Sequence, residues 1–172
     1  RYPTSASDNV AVGRNALQGD GSTAPTGNCN VAIGSYSLDA STTGHSNISI
    51  GYQAATALTT ANYTVAIGYQ ALATEDQGVG NVAIGYKALE DQNVDTGRNT
   101  AIGYTAARNL STGTDNVIIG YAAAGTGVVT GGSNVIIGKG AADALTSGGA
   151  NIILGLGAAA GFTDNSNNIA IG

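Results

Sequence analysis

The side chains best suited to acid–base, nucleophilic or metal chemistry are few in this chain and do not cluster. His45 is the only histidine, in a polar turn at residues 41–46, and Cys29 is the only cysteine. A catalytic triad and a zinc site each require several such residues brought together. We therefore expect His45 to be a plain turn residue and Cys29 a small buried or loop residue, with no catalytic and no metal-binding residue.

Two further patterns could suggest a ligand site. Paired carboxylates at Glu75-Asp76 and Glu90-Asp91 admit a calcium site, but the regular Asp spacing of calcium-binding repeats is absent. Solvated turn acids are the favoured interpretation. Gly125-x-Gly127 and Gly155-x-Gly157 resemble fragments of nucleotide loops, yet a phosphate loop must open a helix, and each is followed by a return to the β pattern. We predict coil corners there, no cofactor and no enzymatic activity.

Composition argues against an ordinary compact domain. Glycine supplies 27 of 172 residues, whereas Trp and Met are absent and Phe occurs once. Small and β-branched residues suit a thin core of many short strands. A net charge of −5 provides no basic surface for nucleic acid. No apolar run reaches the ~20 residues of a membrane span, so we expect no membrane insertion of this segment.

The elements that would position any functional side chain are ten copies of one short unit of the type NVAIG. Each copy ends at a glycine, and the intervals between these glycines are 21, 17, 17, 17, 18, 17, 18, 17 and 17 residues. That period is too short for helix-pair repeats and fits one coil of a narrow β-solenoid. We predict an all-β fold, a parallel β-solenoid of about ten coils in which residues 1–172 form one segment of a longer fibre. The closing glycines are Gly13, Gly34, Gly51, Gly68, Gly85, Gly103, Gly120, Gly138, Gly155 and Gly172.

Within each unit the apolar residues alternate with a period of two, which is the signature of a β-strand. The first and third residues point to one side of the strand and the middle residue to the other. We predict that the first and third residues line a dry interior core. The core residues predicted in this way are Val31, Ile33, Val65, Ile67, Val82, Ile84, Val117, Ile119, Val135 and Ile137.

The middle residue is small or apolar in every unit, and ten such residues in line would form a stripe that water disfavours. We therefore predict that this stripe is an interface between chains. Its larger isoleucines indicate wider spacing or better packing between chains in the later coils. The candidate interface residues are Ala66, Ala83, Ala101, Ile118, Ile136 and Ile153.

Stacked coils place equivalent residues above one another, about 4.8 Å apart, and so create two polar or aromatic columns. Stacked Asn amides can hydrogen-bond along the axis. Stacked Tyr rings form either a stiffening ladder or a platform for sugars, and rod stiffening is favoured. The Asn ladder is Asn9, Asn30, Asn47, Asn81, Asn99, Asn116, Asn134, Asn151 and Asn168, with Thr64 in the remaining place. The Tyr ladder is Tyr52, Tyr69, Tyr86, Tyr104 and Tyr121.

The units at residues 81–89 (NVAIGYKAL) and 99–104 (NTAIGY) carry a family resemblance most fully. They resemble the repeat arrays of bacteriophage tail fibres and the head domains of trimeric autotransporter adhesins. The resemblance covers essentially the whole chain. It implies a left-handed parallel β-roll, three chains side by side, and a place on a virion or on the outside of a cell.

The preferred function is therefore a homotrimeric extracellular fibre segment that gives reach and multivalent attachment to a glycan or protein receptor. Because both ends of the chain fall inside the repeat, a filament whose subunits stack end to end is the alternative. An ice-binding solenoid ranks lower, since the threonines are scattered through the loops. A polysaccharide lyase ranks lowest, because it would need longer coils and clustered acids.

Overall fold

The computed structural model describes residues 7–19, 21, 24–92 and 97–172. This part of the chain contains ten three-residue strands and no helix, and no helix there is long and apolar enough to cross a membrane. The strands are β1 Val10–Val12, β2 Val31–Ile33, β3 Ile48–Ile50, β4 Val65–Ile67, β5 Val82–Ile84, β6 Thr100–Ile102, β7 Val117–Ile119, β8 Val135–Ile137, β9 Ile152–Leu154 and β10 Ile169–Ile171.

All ten strands form one parallel sheet in sequence order, each pairing with the strand one coil away. Equivalent residues are directly opposite each other, so Ala66 pairs with Ala83 and Ala83 with Ala101. The register is the same at the 17- and 18-residue intervals, because the extra residue falls in a loop. The predicted parallel β-solenoid is confirmed. Ten coils at the usual strand spacing give a rod on the order of 45 Å long.

A second wall closes each coil opposite the strand. After the corner glycine the chain turns back, and two small or aliphatic residues point inwards, as Ala88 and Leu89 do after Gly85. The second of these has a positive φ, and its amide donates to the next coil: the amide of Leu72 bonds the carbonyl of Ala88 at 2.9 Å. The wall is therefore hydrogen-bonded along the rod just as the sheet is.

The prediction of which side of each strand faces the core was wrong. The middle residues are the ones inside the coil: Ala66, Ala83, Ala101, Ile118, Ile136 and Ile153 are each at most 1% exposed. The first and third residues point outwards and are half-buried or exposed, with Ile33 and Ile137 at 37% and 40%. The residues assigned to the core and now placed outside are Val31, Ile33, Val65, Ile67, Val82, Ile84, Val117, Ile119, Val135 and Ile137.

The physical reason lies in the narrow space between the two walls, which admits little volume per coil. Most coils with Ala in the middle position carry Leu on the second wall, as in the pairs Ala66/Leu72 and Ala83/Leu89, and the coil of Ala101 is an exception with Ala107 there. Coils with Ile there carry Ala, as in Ile118/Ala124. The large isoleucines of the later coils therefore compensate for a smaller opposite wall. They are not evidence of wider spacing between chains.

Candidate functional surface

The outward residues of the ten strands form a continuous apolar strip along the rod, which we call the outer sheet face. Along its length it contains only aliphatic side chains and Thr100, and no charge interrupts it. Its first column is Val10, Val31, Ile48, Val65, Val82, Thr100, Val117, Val135, Ile152 and Ile169. Its second column is Val12, Ile33, Ile50, Ile67, Ile84, Ile102, Ile119, Ile137, Leu154 and Ile171. A contiguous strip of this length marks an interaction surface more often than a free surface.

The Tyr ladder borders the outer sheet face just beyond the corner glycines. Its five rings stack with centroids 5.5, 5.2, 4.8 and 5.1 Å apart and planes within 14° of parallel. The strand spacing imposes this separation, because each ring starts from the same point of its coil. The rings are half-exposed through their edges, with Tyr86 at 39% and Tyr121 at 54%.

The ends of the Tyr ladder are also occupied. Tyr36 contacts the first ring of the ladder edge-on, with centroids 6.1 Å apart, and the guanidinium of Arg14 lies 4.7 Å from the Tyr36 ring. At the other end the Lys139 ammonium lies 5.6 Å from the Tyr121 ring. Because each ring face within the ladder covers its neighbour, sugar stacking on those faces would require the ladder to open. The arrangement favours the stiffening role.

The Asn column forms the predicted hydrogen-bonded ladder inside the rod. In most coils the Asn side-chain oxygen accepts the backbone amide of the next Asn, as Asn116 Oδ1 does from Asn134 N at 2.9 Å. The side-chain nitrogen donates to a loop carbonyl, as Asn134 Nδ2 does to Gly148 O at 3.0 Å. Direct side-chain bonds between successive asparagines join the later coils, from Asn99 onwards. The ladder therefore fastens each loop to its strand and each coil to the next.

The break in this ladder at Thr64 has a measurable cost. In other coils the preceding Asn oxygen accepts the backbone amide of the next Asn, as Asn30 Oδ1 does from Asn47 N at 3.0 Å, and Thr64 has no such oxygen for the amide of Asn81. We expect Thr64→Asn to supply the missing amide oxygen and to raise the free energy of unfolding by about 1–2 kcal/mol. Thermal melting monitored by circular dichroism measures this. The reverse change two coils beyond Thr64, Asn99→Thr, should destabilise the rod. A Thr64→Asn protein that melts below the parent would contradict the expectation.

The residues singled out for chemistry remain dispersed. His45 packs edge-on against the Tyr63 ring, with centroids 5.1 Å apart, and its Nδ1 lies 3.3 Å from Ser46 Oγ. Cys29 is exposed, so a buried position is wrong for it and a loop position is correct. In the ranges covered by the structure, no three His, Cys, Asp or Glu side chains lie close enough to hold a metal ion.

Two of the four acids predicted to be solvated are instead buried. Glu75 is fully buried, and its Oε1 accepts the backbone amide of Gly78 at 2.8 Å, which closes the loop. Glu90 is only 9% exposed and binds Lys87 Nζ at 2.6 Å and Arg108 Nε at 2.7 Å. Donating a hydrogen bond to the Glu90 carboxylate raises the pKa of both Lys87 and Arg108. These carboxylates therefore stabilise the loops through hydrogen bonds and ion pairs.

A further ion pair is on the surface. Arg98 binds Asp115 of the next coil through two hydrogen bonds, Nε to Oδ1 at 2.6 Å and Nη2 to Oδ2 at 2.9 Å. The hydrogen bond from Arg98 lowers the pKa of the Asp115 carboxyl. Because both groups are open to solvent, the pair contributes little to stability, and its position beside the outer sheet face is of more interest.

The two glycine pairs that resembled nucleotide loops are coil corners, as predicted. The amide of Gly127 donates to Asp143 O at 3.0 Å, and the amide of Gly155 donates to Ile137 O at 2.9 Å. Gly157 N likewise binds Lys139 O at 2.9 Å. Amides already committed to neighbouring coils are not free to hold a phosphate.

Sequence reasoning assigned the outer sheet face to the core and so missed the principal candidate surface. One signal could have identified it. The flanking positions are large and β-branched in nearly every coil, whereas the middle position is Ala or Ser in seven coils out of ten. A position restricted to small residues is typical of the crowded side of a strand.

We compared the chain with protein-family models, curated proteins and solved structures, and none of the three comparisons found a match.

Proposed function

We propose that this chain is a structural and adhesive segment of an extracellular fibre, and that its copies associate side by side as a homotrimer through the outer sheet face. The observation that carries the proposal is the face itself. It runs over all ten strands of the described chain, aliphatic except for Thr100, at positions that a lone rod would leave partly in water. Burying it against copies of itself removes that cost.

The size of the face suits such an association. The strip is about 45 Å long. Its width is roughly 15 Å, which is the length of a three-residue strand plus the edge of the Tyr ladder, so it covers on the order of 600 Å². Stable interfaces bury about 800 Å² per partner, so the face supplies much of that area and the loops beside it must supply the rest. A face of Val and Ile also packs with little loss of side-chain entropy, because β-branched residues have few rotamers to lose.

Mechanical reach follows from bonding that runs along the rod. The parallel sheet, the Asn ladder and the Tyr ladder all connect each coil to the next, parallel to the axis. Bending the rod must therefore disturb several columns at once. A fibre needs this stiffness to hold an attachment point away from the surface that carries it.

Attachment is assigned to the loops opposite the outer sheet face. Loops recur once per coil, so one fibre of three chains presents many copies of similar polar turns. Weak contacts of each loop with a glycan or protein receptor would add through effective concentration. A bacteriophage tail fibre and a bacterial surface adhesin both fit this description, and both place the chain on a virion or at the outside of a cell.

The test of this proposal is the molecular mass in solution after a charge is placed on the outer sheet face. Ile84 is half-buried and points outwards from the middle of the sheet. We expect the parent to sediment as a trimer and Ile84→Glu to shift it to monomer, because three carboxylates would be forced into one apolar seam. Far-UV circular dichroism should remain that of the parent.

The matched control is Thr112→Glu, which places the same charge on an exposed loop residue away from the sheet. It should leave the trimer intact. If the parent protein is already a monodisperse monomer at micromolar concentration, the proposed association is wrong and nothing covers the outer sheet face.

A further inference from the structure

Two columns of residues border the outer sheet face on opposite sides. The amino rim is the residue just before each ladder position: Asp8, Cys29, Ser46, Tyr63, Gly80, Arg98, Asp115, Ser133, Ala150 and Asn167. The carboxyl rim is the residue just after each corner glycine: Arg14, Ser35, Tyr52, Tyr69, Tyr86, Tyr104, Tyr121, Lys139 and Leu156. The amino rim has positive φ throughout, and all its residues are exposed except Ser46 and Gly80, which are half-buried.

The symmetry of a ring decides which rims meet. When identical rods are related by rotation about an axis parallel to their length, each copy turns one side of its face towards the opposite side of the next. The amino rim of one copy therefore meets the carboxyl rim of its neighbour. Antiparallel pairing about an axis across the rods would place each rim against its own kind.

When opposite rims meet in register, three coils bring complementary side chains together. In the first coil an acidic residue, Asp8, faces a basic one, Arg14. In the sixth coil Arg98 faces the exposed edge of Tyr104, where its guanidinium can donate a hydrogen bond to the Tyr104 hydroxyl. In the ninth coil an apolar pair, Ala150 and Leu156, meets. No coil places like charges opposite each other.

The Tyr ladder adds a second reason. Because its ring faces are covered by one another, the rings present edges and hydroxyls to a neighbour, and these edges are about half-exposed. The amino rim offers groups that suit such edges, including the hydroxyl of Ser46 and the ring of Tyr63, which is 62% exposed. An edge-to-face contact of Tyr63 with Tyr69 of the next copy has the geometry that aromatic pairs prefer.

We infer that the copies close into a parallel ring in register, with the amino rim of each copy seated on the Tyr ladder of the next. The partner is a second copy of this chain, and the inference rests on the proposed function. Arg98 keeps its ion pair with Asp115 in this arrangement, because that pair uses Nε and Nη2 and leaves Nη1 to donate to the neighbouring copy.

Cys29 provides a direct test, since it is exposed on the amino rim and is the only cysteine in the sequence. Its counterpart on the carboxyl rim of the same coil is Ser35. Within one chain the two are separated by strand β2 and lie roughly 15 Å apart. A disulfide needs Cα atoms within about 7 Å, so no bridge can form inside a chain. Ser35→Cys should therefore form bridges between copies on mild oxidation, and a closed ring of covalent trimers on a non-reducing gel.

Two further variants complete the experiment. Tyr52→Cys places the introduced cysteine one coil further along the carboxyl rim than Ser35. Thr43→Cys places it on an exposed loop away from both rims. Bridging by Ser35→Cys alone is the expected result. Bridging by Tyr52→Cys instead would overturn the register, and bridging by neither while the mass stays trimeric would overturn the rim pairing but not the proposed function. A monomeric parent would overturn both.

Discussion

Replacing Ala83 with glutamate should unfold the central coils of the rod. Ala83 is fully buried between Ala66 and Ala101 of the adjacent strands, and Leu89 lines the opposite wall of its coil. A carboxylate there has no partner and no space. An uncompensated buried charge costs several kcal/mol, so we expect a loss of at least about 4 kcal/mol, a large part of the stability of a typical domain. Far-UV circular dichroism and resistance to protease measure it.

The matched control is Ile84→Glu, the next residue of the same strand. Its side chain points to the outer sheet face, so the monomer coil should keep its circular dichroism spectrum even as the assembly dissociates. The two variants carry the same charge at adjacent positions, so comparing them distinguishes an effect on folding from an effect on association. The opposite result, in which Ala83→Glu folds like the parent and Ile84→Glu unfolds, would mean that the inside and outside of the strand are exchanged.

Replacing the corner glycine Gly85 with alanine should be nearly as damaging. A Cβ atom there would clash with the carbonyl oxygen of Gly103, the corner glycine of the next coil. That oxygen is backbone and cannot rotate away. The φ of +136° is also strained for any residue with a side chain. We expect a loss of at least about 3 kcal/mol, measured by thermal or denaturant unfolding.

Two other glycines separate these causes. Gly140 has a φ of +61° but open space where a side chain would lie, and Gly161 has open space without a positive φ. Gly140→Ala should cost about 1 kcal/mol from backbone strain alone, and Gly161→Ala should be neutral or slightly stabilising. If Gly85→Ala proves no more harmful than Gly140→Ala, the close approach of the corner glycines does not limit the packing of the coils.

The coil and its columns follow from the amino-acid sequence. A unit that returns every 17 or 18 residues with the same alternation requires stacked parallel strands, and its closing glycine requires a tight corner. The Asn and Tyr ladders follow directly, because any residue at a fixed place in the coil must lie above its equivalent. Asn116 and Tyr86 could therefore be placed in ladders from the repeat alone, since strand spacing sets their separation.

The side of each strand that faces inwards depends on packing that the repeat does not specify. Alternation distinguishes Ala83 from Ile84 but is unchanged if the two faces are exchanged, so apolar character on both sides left the direction open. The deciding quantity is the volume left by the second wall: Leu89 fills the coil opposite Ala83, and Ala124 leaves room for Ile118. The direction in which the chain turns after the corner glycine determines that volume. It also determines that the β-branched residues lie outside, where they are half-buried or exposed.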